Sequence, residues 1–96
     1  MQLSADPGID EVLLHWEPIK KTTEYMLQWG IGKDDMDETF MMKADEIQFL
    51  HTELEPATAY YYRISAKLGG KKEKVSKVLE VRTGDREKIK QSDVAY

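Results

Sequence analysis

The chain has 96 residues, 41% of them hydrophobic and 33% charged, with a formal net charge of −4. That is one domain's worth of sequence, able to bury a core without metal or disulfide staples. The charge provides no general field for nucleic acid, and no apolar run approaches the ~20 residues needed to insert into a membrane.

There is no cysteine, so thiol chemistry and disulfides are excluded, and the absence of asparagine rules out N-linked glycosylation. No basic, apolar and small-residue leader pattern is visible at Met1.

Taken in order, residues 2–5 alternate briefly and stop at the turn tripeptide Asp6-Pro7-Gly8, which reads as an edge strand. A second strand over 11–16 places Val12, Leu14 and Trp16 on one face, and Pro18 ends it. The third, over 24–31, sets Tyr25, Leu27, Trp29 and Ile31 inward against Glu24, Met26, Gln28 and Gly30. An acidic turn over 32–38 carries Asp34, Asp35, Asp37 and Glu38, without the spacing or central glycine of a calcium loop. Residues 39–42 read as a short fourth strand.

The fifth strand, over 46–52, turns Ile47, Phe49 and His51 inward. A histidine on that face departs from the apolar residues that precede it. Either His51 sits at a rim, or a bulge turns Leu50 inward instead.

Leu54-Glu55-Pro56-Ala57-Thr58-Ala59-Tyr60 then forms a corner that no helix can cross, because Pro56 fixes its own φ and restricts Glu55. The sixth strand follows, with Tyr60, Tyr62, Ile64 and Ala66 on one face and Tyr61, Arg63 and Ser65 on the other. A glycine-centred hairpin at Gly69-Gly70 leads to a last strand over 75–83, with Leu79 and Val81 inward and Val78 outward. Helical periodicity is not sustained through residue 83, so the chain reads as all-β. Residues 84–96 are charged, with few apolar side chains, and read as a linker or tail.

Three motifs together carry a resemblance. Leu54-x-Pro56-x-Thr58-x-Tyr60 resembles the tyrosine corner of fibronectin type III domains, in which a tyrosine hydroxyl bonds back to upstream backbone. Val12-x-Leu14-x-Trp16-x-Pro18 and Tyr25-x-Leu27-x-Trp29 are similar to that family's second and third strands, and Val81-Arg82-Thr83 to its last. The resemblance spans roughly residues 3–83. It implies a seven-stranded Greek-key sandwich with sheets A-B-E and C′-C-F-G in the family's lettering, and a Tyr60 hydroxyl bonded near residues 54–57.

Function is less legible. His15 and His51 have no nucleophile beside them in sequence, and no strand-to-helix elbow exists to build a triad, so no catalytic, cofactor-binding or metal site is expected. Alternation exposes Met26, Tyr61 and Arg63 on the outer face of one sheet. Met26 and Tyr61 are expected to form a small apolar patch beside Arg63, with Val78 near. Lys67, Lys71, Lys72, Lys74 and Lys77 cluster around the last hairpin, where a polysaccharide or another anion could be held, with Glu73 among them.

The resemblance implies a non-catalytic module of a larger cell-surface or secreted protein. It would act as a spacer or bind a protein partner or neighbouring domain, and be monomeric in isolation. An accessory module that binds carbohydrate or anions through Lys71, Lys72 and Lys74 is the alternative.

Overall fold

Alternating side chains become eight strands in two layers in the computed structural model, which describes residues 2–85. β1 (Leu3–Pro7), β2 (Val12–Trp16) and β5 (Gln48–His51) form one sheet in the order β1-β2-β5. β3 (Thr22–Gly30), β4 (Glu38–Lys43), β6 (Ala59–Leu68) and β7 (Glu73–Val75) form the other in the order β4-β3-β6-β7, and β8 (Leu79–Arg82) also pairs with β6. Every pairing is antiparallel.

The period-2 pattern decides which faces meet. Val12, Leu14 and Trp16 from β2 are buried against Tyr25 and Leu27 from β3 and Tyr60, Tyr62, Ile64 and Ala66 from β6. Leu3 and Met42 join this core, and Trp29, Phe49 and Leu79 pack on it only partly buried. The Trp16 and Tyr25 rings lie 5.6 Å apart, and the Tyr25 hydroxyl accepts a bond from the Ile19 amide at 3.1 Å. That bond fixes the β2–β3 loop to the core.

The tyrosine corner forms as expected. The Tyr60 hydroxyl accepts from the Glu55 amide at 2.9 Å. Thr83 completes the corner from the far end of the chain: its hydroxyl donates to Glu55 O at 2.6 Å and accepts from the Thr58 amide at 2.9 Å. Ala57 takes a positive φ of 52°, a left-handed turn that brings its amide onto Gly84 O at 2.9 Å. The Gly84 amide in turn donates to Gly8 O at 2.8 Å, so Gly84 is still held by the sandwich. Most of the expected tail, residues 86–96, lies outside the described residues.

Three expectations are corrected. Ile31 is 70% exposed instead of inward. The backbone of Asp35 packs so closely on Gly30 that a Cβ there would lie 1.9 Å from Asp35 O, and the chain leaves the sheet at that point. Ile47 is also exposed, because β5 begins one residue later and leaves it in the loop.

The third correction concerns the last strand, which is two segments rather than one. Val75 pairs with Ser65 but Leu79 pairs with Tyr62, so the register advances by one residue between them. This is a β-bulge, and Ser76 organises it. Its amide donates to Ile64 O at 2.9 Å, and its buried hydroxyl accepts from the Ile64 amide at 3.0 Å. The extra residue reverses the alternation, so Val75 faces out while Leu79 and Val81 face in.

Candidate interaction surface

β3 and β6 are each paired on both sides, which makes the outer face of the larger sheet a continuous platform. Register stacks its outward side chains in rows. One row runs Met41–Met26–Ser65–Val75 across β4, β3, β6 and β7. Met41 and Val75 are about half exposed, whereas Ser65 between its larger neighbours is 2% exposed. The row is therefore two apolar shoulders beside a small hydroxyl.

Beside it lies a polar row, Thr39–Gln28–Arg63. Arg63 Nε and Nη2 both donate to Gln28 Oε1, at 3.0 and 2.6 Å, which ties the guanidinium to the neighbouring strand. On the other side is a row of alternating charge, Lys43–Glu24–Lys67–Glu73, with Lys67 Nζ 3.3 Å from Glu24 Oε1. Exposed pairs of this kind contribute ~0–1 kcal/mol, so they order the surface more than they stabilise it.

Tyr61 stands across from Gly30 in β3 and Glu80 in β8. Its hydroxyl donates to Glu80 Oε1 at 2.7 Å, and this bond, with minor help from desolvation and the carboxylate's charge, holds the phenol's pKa above its ordinary value. Met26 and Tyr61 do not form one patch, because the Gln28–Arg63 pair stands between them. Met26 instead meets Met41. Val78, with Lys77, Gln2, Leu3 and Leu79, lines a cleft of about 340 Å³ beside β1 and β8.

The lysine cluster also divides. Lys71, Lys72 and Lys74 are exposed on the β6–β7 hairpin, where Gly70 adopts φ +80° and the Leu68 amide donates to Lys72 O at 2.9 Å. Lys67 is paired with Glu24, and Lys77 lies within the bulge. A second loop joins the hairpin instead. Thr22 pairs with Leu68, and the Thr23 hydroxyl donates to Lys67 O at 3.1 Å, so Lys20 and Lys21 of the β2–β3 loop stand at the same end of the sandwich. Sequence order hides this juxtaposition, since nearly fifty residues separate the two loops.

The two histidines differ completely. His15 lies on the outer face of the smaller sheet with Nε2 3.3 Å from Asp6 Oδ2. His51 is buried and Leu50 is exposed, which settles the alternatives for β5: there is no bulge, and the histidine points inward. Its Nδ1 is 2.9 Å from the Tyr62 hydroxyl, and burial holds its pKa below the ordinary value of 6.5. Burial also raises the Tyr62 phenol, so this partner stays protonated. Among the described residues no group of three or more acidic, histidine or cysteine side chains is arranged to hold a metal ion.

With this geometry in place, the comparisons with known proteins bear on the fold. The FN1–FN3 domains of chicken CNTN1 superpose with a TM-score of 0.72 at 17% identity, covering 86% of this chain and 31% of that one. The fn3 domain of human contactin 1 gives 0.75 at 18% identity, covering 88% of this chain and 75% of the other. The fold is that of a fibronectin type III domain. A redesigned β-sandwich protein also matches this fibronectin type III fold, with a TM-score of 0.76 at 20% identity over 90% of this chain and 94% of that one. No family model matches the sequence, and no curated protein does. The chain spans about a third of the length of the chicken CNTN1 fragment, in which such domains occur in series.

Proposed function

We propose that this chain is a non-catalytic fibronectin type III module of a larger cell-surface or secreted protein. It serves as a spacer and binds a protein partner through the outer face of β4-β3-β6-β7. The observation that carries this reading is the platform itself. Met26 and Met41 form an adaptable apolar shoulder, with Val75 across from them, while Arg63 and Tyr61 are held in place on the same face. Methionine adapts to varied partners, and tyrosine and arginine are favoured anchors of binding energy. The contactin neighbours support a cell-surface setting.

The test is partner binding by the parent protein carrying Met26→Ala with Tyr61→Ala, and separately Arg63→Ala. Both side chains of the double variant are on the outer face, so unfolding curves should barely move. A tenfold or greater loss of affinity is expected for the double variant. Unchanged binding in both proteins would remove the face from consideration.

A second reading has its own support, the juxtaposition of Lys20 and Lys21 with Lys71, Lys72 and Lys74. None of the five has an ion-pair partner among the described residues. This end of the domain then holds an anionic polysaccharide. Retention on immobilised dextran sulfate should fall for Lys71→Ser with Lys72→Ser, and fall again when Lys20 and Lys21 are also replaced. Retention that ignores the second pair would reduce the site to the hairpin alone; retention that ignores both would remove this reading.

A further inference from the structure

His51 is a histidine buried in the core, and its surroundings determine what ionisation does. It is 6% exposed and sits in a ring of aromatic side chains: Trp29 from β3, Phe40 from β4, Phe49 beside it in β5, and Tyr60 and Tyr62 from β6. The Trp29 ring is nearest, with centroids 4.3 Å apart in an edge-to-face arrangement. This cluster closes the side of the sandwich between the two edge strands β4 and β5, where Phe40 and Phe49 meet across the gap at 4.6 Å. A cleft of about 410 Å³ opens there, lined by Trp29, Phe40, Phe49, Leu50, His51 and Leu54, with Thr52 and Glu53 at its margin.

The groups facing the imidazole are neutral or distant. β6 presents two phenols, Tyr60 and Tyr62; β2 presents Val12 directly opposite; β3 presents the Trp29 indole. β4 presents Phe40, with Glu38 exposed further along the strand, and Glu53 follows in the loop after β5. Neither carboxylate forms an ion pair with His51. A protonated ring keeps its bond to Tyr62, since Nδ1–H then donates to the phenol oxygen. Its charge, however, remains without a counter-ion in an apolar setting, which is costly.

We propose that His51 is an acid latch: protonation of its ring loosens β5 and β4 from the rim of the sandwich and opens the aromatic cleft between them. The location follows from the sheet order. Among the described residues β5, four residues long, pairs only with β2, and β4 pairs only with β3, so both can yield while β2, β3 and β6 hold.

The sign follows from linkage. Burial depresses the pKa of the closed form, so the open form binds the proton more tightly. The closed state is fully favoured above about pH 6.5, the ordinary histidine value, and loses ground as the pH falls toward the closed-state pKa. Over that interval the opening constant rises by up to about tenfold per pH unit for one proton.

The test pairs an NMR titration of the His51 ring with hydrogen exchange from pH 7.5 to 5, corrected for intrinsic rates. The ring is expected to titrate below 6.5. Ladder-bonded amides of β4 and β5 should open increasingly with acid while those of β3 and β6 respond less. His51→Leu should flatten the response, and His51→Gln, which keeps a polar partner for Tyr62 but cannot take a charge, should do the same. His15→Gln should leave it intact. A His51 ring that titrates at or above 6.5 overturns the proposal, as does a His51→Gln protein with the full acid response. If His51→Leu does not fold, the wild-type ring titration and His51→Gln decide.

Discussion

The corner at residues 54–60 and the rim between β4 and β5 lie near one another, yet they are built on opposite principles. At the corner the backbone is held by directional bonds: Leu54 on Asp10, Glu55 on Tyr60 and Thr83, Ala57 on Gly84, and Thr58 on Thr83. At the rim the rings pack on one another while polar atoms go short. Trp29 Nε1 is buried without a hydrogen-bond partner, and burial holds the His51 pKa below its ordinary value. The corner is specified by directional bonds and the rim by shape. Bonds of the first kind fail sharply when one partner is removed, whereas packing of the second kind yields by degrees.

Four substitutions probe that contrast, from the largest effect to the smallest. Tyr60→Ala removes a core ring together with the corner's acceptor and should cost about 3–5 kcal/mol in urea unfolding. That approaches the whole stability of such a domain. A Tyr60→Ala protein with near-normal stability would falsify the corner's role. Thr83→Val keeps the side-chain shape but removes the partner of both Glu55 O and Thr58 N–H, with an expected loss of roughly 1–3 kcal/mol. Tyr60→Phe isolates a single bond, stranding the part-buried Glu55 amide, and should cost about 1–2 kcal/mol.

Trp29→Phe at the rim sharpens the comparison from the other side. It loses ring volume but no hydrogen bond, and should cost less than about 1.5 kcal/mol, in the range of a tolerated hydrophobic swap. If Trp29→Phe proved more damaging than Thr83→Val, the division between bonded corner and packed rim would have to be abandoned.

The same contrast governs what the sequence discloses. The corner is legible because its determinants are nearly contiguous: Pro56 forces the turn, and Tyr60 stands five residues from the amide it accepts. Alternation likewise assigns Val12, Leu14, Tyr25, Leu27, Tyr62 and Ile64 inward, because every second side chain of a paired strand shares a face. Thr83 was legible only as the end of a strand, not as the side chain that closes the corner. The bulge at residues 76–78 has no comparable signal. Only the pairing with β6 reveals the extra residue that turns Val75 outward, so the row Met41–Met26–Ser65–Val75 could not be read from one strand at a time. The approach of Lys20 and Lys21 to the β6–β7 hairpin is hidden for the same reason. His51 was visible as an anomaly in an alternating strand, but its five ring neighbours come from four strands.

The balance between corner and rim is measured most directly by native-state hydrogen exchange at neutral pH. The Glu55, Ala57, Thr58 and Thr83 amides should exchange with free energies close to that of global unfolding. Ladder-bonded amides of β4 and β5 should exchange through a local opening of lower free energy, and so more quickly. Equal protection at the two sites, or a corner that opens before the rim, would contradict the account.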